Sequence, residues 1–199
     1  MKIVVATRNF GKLREIQTGL QGLGIELLSL ADFPEAPEVI EDGGTFEANA
    51  VKKAQALCAY TSLPALADDS GLQVDALAGA PGIRSARFAG EGASDDENNA
   101  KLISLLHGVP PECRSARFRC ALALAWPDGQ VQIVEGIAQG RILEAPRGKR
   151  GFGYDPLFYS PELHATFAEV EAEQKLAVSH RGQALKKLRD LLRSLEAKP

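Results

Sequence analysis

Leu66-Ala67-Asp68-Asp69-Ser70-Gly71-Leu72 ends an apolar run on two adjacent carboxylates. Residues 63–67 are mostly apolar and follow a polar break at residues 60–62, which predicts a short buried strand that ends before the acids. Successive side chains of a strand point to opposite faces, so the two carboxylates have different surroundings. Gly71 allows a sharp turn after them. The segment is typical of a divalent-metal or general-base site, and also of a polar loop in which an aspartate caps the turn.

Residues 2–12 combine an apolar strand with a polar turn that ends in a lysine. A helical pattern follows, and its apolar face consists of Leu13, Ile16, Leu20 and Leu23, with Gly24 placed to close the helix. Backbone N–H groups and the dipole at a helix N-terminus favour phosphate, so the turn is a candidate anion site. The segment lacks the Walker A pattern, and strand-to-helix turns with a lysine are common in α/β proteins.

Composition limits the classes of protein that the chain can belong to. A chain of 199 residues with 45% apolar and 25% charged residues can build the core of one domain or of two closely packed lobes, and we predict a single domain over residues 1–199. The formal charge of −3 argues against nucleic acid or an anionic membrane as the partner. The apolar run after Lys2 is too short for a signal peptide or a membrane span, so we expect a cytoplasmic protein.

Two smaller features have unremarkable interpretations. Cys58, Cys113 and Cys120 are odd in number and lack C-x-x-C spacing, so neither a disulfide framework nor a zinc site is indicated. The basic run at residues 147–150 indicates a local anion contact or a solvated loop.

The remaining pattern alternates strands and helices. Residues 27–30 predict a strand, Thr45 caps a helix, and Ser94-Asp95-Asp96-Glu97 is a capping box that opens another helix. Residues 115–126 and 131–139 flank Pro127-Asp128-Gly129, which predicts a hairpin. Antiparallel pairing in the middle of the chain and helices towards both ends predict a mixed α/β fold.

The last helix is predicted to begin after Ser179, with an apolar stripe that runs from Leu185 to Leu195. His180 and Arg181 then lie in its first turn, where positive side chains oppose the helix dipole. A basic pair in this position indicates a compensating acidic partner or ligand.

Six motifs occur in order along the chain. They are Thr7-x-Asn9-x-x-Lys12, Glu41-x-Gly43-x-Thr45-Phe46-x-x-Asn49-Ala50-x-x-Lys53-Ala54, Ala67-Asp68-Asp69-Ser70-Gly71-Leu72, Gly79-Ala80-Pro81-Gly82-x-x-Ser85-Ala86-Arg87, Gly151-x-Gly153-Tyr154-Asp155-Pro156 and Ser179-His180-Arg181-Gly182. Together they resemble the motifs of the dITP/XTP pyrophosphatase (inosine triphosphatase) family. Each is moderately specific alone, and the set spans the chain from its first residues to the last helix.

The resemblance implies a long central mixed sheet and two lobes around a nucleotide-binding cleft. It implies a homodimer that hydrolyses ITP, dITP and XTP to the monophosphate and pyrophosphate and so cleanses the nucleotide pool. By resemblance, Asp69 is the catalytic base and Glu41, Asp69 and Asp68 bind Mg²⁺. The implied substrate-binding residues are Thr7, Arg8, Asn9, Phe10, Gly11, Lys12, Lys53, Ser70, Phe152, Gly153, Tyr154, Asp155, Lys175, His180 and Arg181.

The chemistry of these residue types fits that reaction. A triphosphate carries roughly four negative charges, so its binding and its transition state need distributed cations. Lys12, Lys53 and Mg²⁺ would supply them, and Mg²⁺ needs only one or two carboxylates because it keeps several waters. Hypoxanthine presents an acceptor at O6 and a donor at N1–H, whereas adenine presents the reverse pair, so a matched site rejects adenine.

Two other classes remain open from the sequence. Asp69-Ser70-Gly71 matches the D-[ST]-G of an aspartic protease, although that interpretation leaves Lys12 and Lys53 unexplained and finds no second such motif. A regulatory module could also bind nucleotide in the same cleft without turnover.

The sequence also offers a physical reason for a dimer. Ala121, Ala123 and Ala125 form a small, flat face of the predicted hairpin. A two-fold contact would bury that face on both subunits, or a helix of the same chain would cover it.

Overall fold

The computed structural model describes residues 1–196 and contains helices and strands along the whole of that range. In chain order these are β1 (Lys2–Ala6), α1 (Phe10–Leu20), β2 (Glu26–Leu28), α2 (Phe46–Thr61), β3 (Ala65–Val74), α3 (Asp95–Leu105), β4 (Ser115–Ala125), β5 (Val131–Ile142), β6 (Phe158–Ser160), β7 (Ala165–Thr166), α4 (Ala172–Val178) and α5 (His180–Glu196).

The strands form a seven-stranded sheet in the order β2-β1-β3-β4-β5-β6-β7. β1 pairs in parallel with β2 and with β3. β6 pairs antiparallel with both β5 and β7. The sheet is therefore mixed, and the predicted mixed α/β fold with a long mixed sheet is confirmed.

The chain divides into two compact units. The first comprises residues 1–69, 120–136 and those from 181 onward. Its core begins with the apolar run of β1, whose Ile3, Val4 and Val5 are fully buried. The apolar faces of three helices are buried in the same unit and include Ile16 and Leu20 of α1, Ala50, Ala54 and Leu57 of α2, and Leu185, Leu188 and Leu192 of α5.

The second unit comprises residues 70–119 and 137–180. Its core is aromatic at the centre, where the ring centroid of Phe158 lies 4.7 Å from that of Phe118 and 4.9 Å from that of Phe167. Leu102 and Leu106, from α3 and the residues that follow it, belong to this core. The single domain predicted for residues 1–199 stays a prediction.

Local sequence signals for helix starts and for the hairpin are confirmed. The Thr45 hydroxyl accepts a hydrogen bond from the Ala48 N–H at 3.1 Å, and Ser94 and Glu97 form the predicted capping box of α3. The turn between β4 and β5 is closed by a hydrogen bond from Trp126 N–H to Gln130 O.

Several predicted boundaries are wrong. The strand expected to end before Asp68 is instead a ten-residue strand that continues through both acids and Gly71 to Val74. The second strand covers only Glu26–Leu28 instead of residues 27–30. The two short strands β6 and β7 had no clear signal in the sequence.

The alanine face of β4 is not an exposed surface. Ala121, Ala123 and Ala125 are buried within the single chain, with at most 2% of their surface exposed. The expectation that this face forms a dimer contact is therefore wrong, and the dimer itself stays a prediction. Within residues 1–196, no helix is long and apolar enough to cross a membrane.

Candidate active site

Asp68 and Asp69 occupy the middle of β3, and the pairing of β1 with β3 explains what lies beside them. Ala6, the last residue of β1, pairs with Ala67. The chain therefore leaves β1 next to Asp68 and enters the turn that leads to α1. Because β1 and β3 run in parallel, the turn after one strand lies at the level of the acids in the other.

Asp68 is completely buried and is surrounded by cationic side chains. Its carboxylate accepts hydrogen bonds from Lys12 Nζ at 2.7 Å and from Arg181 Nε at 2.8 Å. The Cys120 thiol donates a further hydrogen bond at 3.2 Å. Burial raises the pKa of Asp68, but Arg181 and Lys12 outweigh it and hold the pKa well below its usual value. Asp68 is therefore an ionised carboxylate whose two oxygens both bind cations.

Asp69 lies in a different environment, as the alternation of the strand requires. Its two oxygens accept hydrogen bonds from Lys53 Nζ and Asn49 Nδ2, each at 3.1 Å. Burial raises the pKa of Asp69, and the nearby Glu41 adds to this effect, so the pKa stays above its usual value despite Lys53 and Lys12. Asp69 is thus the more basic of the two carboxylates.

α2 connects Asp69 to the loop that carries Glu41. Asn49 and Lys53 lie one helical turn apart and both contact Asp69. Lys53 Nζ also contacts Glu41 Oε1 at 3.0 Å and the Asp68 backbone carbonyl at 2.8 Å, while Asn49 Oδ1 accepts from the Gly43 N–H at 2.8 Å. Burial raises the pKa of Glu41, but the opposing effect of the positively charged Lys53 and its neighbours is larger. The pKa of Glu41 therefore lies below its usual value.

The turn before α1 is the anion site that the sequence predicts. Asn9 caps the helix by accepting a hydrogen bond from the Lys12 N–H at 2.9 Å, and Thr7 Oγ1 accepts from the Asn9 N–H at 3.1 Å. A cavity of about 430 Å³ lies against this turn and is lined by Thr7, Arg8, Asn9, Phe10, Leu13, Ser29, Leu30, Ala31 and Pro34. Phe10 is 86% exposed there.

The carboxylates of this unit can be tested for their fit to Mg²⁺. No group of three or more His, Cys, Asp or Glu residues suited to hold a metal occurs within residues 1–196. Glu41 and Asp69, however, both contact the single ammonium group of Lys53, so their oxygens already converge on one cation. Two carboxylates fit Mg²⁺, which completes its shell with water and phosphate oxygens. Both oxygens of Asp68 contact cationic side chains, so its role as a ligand stays a prediction.

Arg181 confirms the acidic partner expected for a basic pair at a helix start. It opens α5 with His180, is 1% exposed, and its guanidinium contacts Asp68 and Glu15 of α1. The sequence reasoning missed Glu15, Asn49 and Cys120 as members of this site. Glu15 follows Lys12 by three residues and so shares its side of α1, a spacing that could have identified it.

The second unit holds the predicted base-binding residues in a compact arrangement. Asp155 Oδ2 accepts hydrogen bonds from the Phe152 N–H at 3.0 Å and from Lys175 Nζ at 2.5 Å. Lys175 Nζ also lies 4.5 Å from the centroid of the Phe152 ring. Gly151 has φ +74°, and a Cβ there would lie 2.1 Å from Asp155 Oδ2, so only glycine allows this arrangement.

Tyr154 and His180 are buried in the same unit. The Tyr154 hydroxyl donates to the Ser85 carbonyl at 2.9 Å, and burial raises the pKa of Tyr154, so its phenol is neutral. The imidazole of His180 stacks on the Phe118 ring with centroids 4.6 Å apart. Ser70, the other predicted substrate-binding residue of this unit, is half-buried in β3.

The first unit thus combines a candidate phosphate site with two carboxylates suited to a divalent cation, of which one, Asp69, has a raised pKa. This combination is typical of enzymes that hydrolyse phosphoanhydrides.

The profile of the Ham1 family matches residues 3–191. A dITP/XTP pyrophosphatase of Geobacter sulfurreducens is 60% identical over 191 residues, which cover 96% of each chain. A dITP/XTP pyrophosphatase of Desulforamulus reducens is 54% identical over 195 residues, which cover 98% of this chain and 97% of that protein. The structure of a HAM1 protein from Coxiella burnetii matches with a TM-score of 0.88 at 43% identity, covering 98% of this chain and 99% of the other.

The chain belongs to the Ham1 family. This confirms the resemblance that the six motifs predicted, and it removes the aspartic-protease interpretation of Asp69-Ser70-Gly71.

The contacts of Asp68 lead to a prediction about stability and pH. Asp68→Asn should lower the free energy of unfolding at pH 7 by roughly 3–5 kcal/mol, because it removes the carboxylate that Lys12 contacts and leaves buried Arg181 with Glu15 alone. The pKa of Asp68 is lowered in the fold, so its contribution is complete above its unfolded pKa of about 4 and is lost as the pH falls below that value.

Urea unfolding of the wild type and the variant between pH 7 and pH 3 measures this difference. Asp42→Asn, which removes the exposed partner of Lys52, is the matched control and should change the free energy of unfolding little. A difference between wild type and Asp68→Asn that is small at pH 7, or that grows towards pH 3, would contradict the prediction.

Proposed function

We propose that this protein hydrolyses ITP, dITP and XTP to the nucleoside monophosphate and pyrophosphate. The observation that carries the proposal is the contact of Lys53 with both Glu41 and Asp69, next to the turn between β1 and α1. The names of the relatives in Geobacter sulfurreducens and Desulforamulus reducens support the choice of substrate.

The triphosphate is bound by the turn and by two lysines. The N–H groups of Asn9 and Lys12 donate to side chains of the turn, so Phe10 and Gly11 are the residues of the first turn of α1 whose N–H groups we propose for phosphate. Lys12 and Lys53 provide positive charge. Both lysines contact carboxylates, which hold their ammonium groups in place.

Glu41 and Asp69 would hold Mg²⁺, with Asp68 beside them. When bound, the ion would supply Lewis-acid polarisation of the phosphate oxygens. The protein's part is to keep the two carboxylates converged and ionised, which the contacts of Lys53 and Asn49 accomplish.

Asp69 accepts the proton of the attacking water. Both oxygens of Asp68 contact cationic side chains, whereas one oxygen of Asp69 contacts the neutral amide of Asn49, so Asp69 is the better base. Asn49 and Lys53 fix the plane of its carboxylate. Each of its oxygens retains a lone pair beyond the hydrogen bond described. Attack of the water oxygen on the α-phosphorus breaks the α–β anhydride bond, and pyrophosphate leaves.

The base is selected by five side chains that the family resemblance implies. Phe152 stacks on the purine, and Asp155, Lys175, His180 and Arg181 surround its polar edge. The burial of Asp155 and Lys175 in one ion pair supports this role, because fixed polar groups reject a base with the wrong donors.

In this proposal residues 1–199 act as one pyrophosphatase domain. The homodimer and the cytoplasmic location remain parts of the proposal.

The reaction itself is the first test. Incubation with ITP, dITP or XTP and Mg²⁺ should release pyrophosphate, with ATP and GTP as poor substrates, and excess EDTA should stop turnover. The products are separated by anion-exchange chromatography at early times. Orthophosphate as the initial product, or unimpaired turnover in EDTA, would contradict the proposal, and nucleotide binding without turnover would indicate a regulatory module.

Asp69→Asn tests the catalytic base. The change preserves shape but removes charge and basicity, so kcat should fall by about 10²-fold or more, while KM changes less. Asp190→Asn, an equivalent change at an exposed position of α5, is the control and should leave both parameters unchanged. Near-normal kcat for Asp69→Asn together with an inactive Asp68→Asn would reverse the roles of the two acids.

A further inference from the structure

α3 holds the backbone of the glycine that follows Phe152. The Gly153 N–H donates a hydrogen bond to Asp95 Oδ2 at 2.6 Å, and Asn99 Nδ2 donates to the Gly153 carbonyl at 2.9 Å. Asp95 and Asn99 are four residues apart and so lie on the same face of α3. Two side chains of one helix thus bind both polar backbone groups of a single loop residue.

The orientation of the Asn99 amide is destabilising in itself, which indicates that its hydrogen bond to Gly153 has a role. Because the Gly153 carbonyl can only accept a hydrogen bond, the Asn99 amide nitrogen must face it. Asn99 Oδ1 is then buried without a hydrogen-bond partner within residues 1–196. An unsatisfied buried acceptor is destabilising, so a side chain that only filled space would not be an asparagine here.

The loop needs this support because Phe152 lies between two glycines. Gly151 and Gly153 both have positive φ, at +74° and +61°. Glycine loses more conformational entropy on ordering than any other residue, so the segment would be mobile without fixed contacts. On its other side the Phe152 N–H binds Asp155, which is paired with Lys175. α3 therefore supplies the second of two anchors.

We propose that Asp95 and Asn99 are positioning residues that hold Phe152 in the orientation needed to stack on the purine. The proposal rests on the stacking role of Phe152 proposed above. A loop that is ordered before binding does not lose that entropy when the nucleotide binds, so loss of the anchor weakens binding of the base more than it slows the chemical step. Phosphate binding, which uses residues of the first unit, is unaffected.

Isosteric variants separate hydrogen bonding from packing. Asn99→Asp keeps the shape but removes the donor to Gly153, and should raise KM for ITP about tenfold with kcat changed by less than about twofold. Asp95→Asn keeps an acceptor for the Gly153 N–H and should change KM far less than Asp95→Ala. Asp96→Asn, the same charge change in the same turn of α3 at an exposed position, is the matched control and should behave as wild type.

Pyrophosphate carries no purine, so its inhibition constant reports phosphate binding alone. A variant that merely damaged the structure would change this constant as well. Its inhibition constant should be the same in Asn99→Asp and the wild type. An equal rise in the KM for ITP and in this constant would overturn the proposal. If Asn99→Asp does not fold, Asn99→Ala provides the same comparison, because it also removes the donor.

A double-mutant cycle with Phe152→Ala completes the test. In the Phe152→Ala background, Asn99→Asp should cause no further rise in KM, and a full additional rise would overturn the proposal. If Phe152→Ala alone leaves KM for ITP unchanged, the stacking role in the proposed function fails. If Phe152→Ala raises KM but Asn99→Asp does not, stacking stands and the positioning role of α3 is wrong.

Discussion

The ion pairs of Asp68 with Lys12 and Arg181 are the constraint around which the first unit is built. A carboxylate without solvent exposure in the middle of a strand would be strongly destabilising if it were alone. Its two oxygens therefore require cations from elements that are far apart in sequence, and α1 and α5 provide them. Because Lys12 stands in the first turn of α1 and Arg181 in the first turn of α5, satisfying one carboxylate fixes the start of both helices beside β3.

That constraint also separates the roles of the two neighbouring acids. The strand sends Asp68 and Asp69 to opposite sides, so the cations that neutralise Asp68 leave Asp69 in a less positive environment. Burial raises the pKa of Asp69, whereas the ion pairs of Asp68 lower the pKa of Asp68. One dipeptide thus yields a residue that is charged at neutral pH and orients lysine and arginine, and a more basic one that is suited to accept a proton.

Local signals in the sequence predicted the elements better than the ends of those elements. Thr45 and Ser94 cap their helices as expected, because a cap depends only on residues three positions away. The end of β3 was wrong because Asp68 and Asp69 look like loop residues until their distant partners are known. Arg181 shows the same limit from the other side: its unfavourable position at a helix start predicted an acidic partner, but only the fold identifies Asp68 and Glu15.

The charges of the first unit give an independent reason why a divalent cation belongs to the proposed reaction. The described contacts connect three cationic side chains, Lys12, Lys53 and Arg181, with four carboxylates, Glu15, Glu41, Asp68 and Asp69. Acidic groups are therefore in excess among these seven side chains, and a triphosphate would add roughly four further negative charges. Lys12 and Lys53 alone do not offset that negative charge. A Mg²⁺ ion held by Glu41 and Asp69 would add two positive charges to this unit.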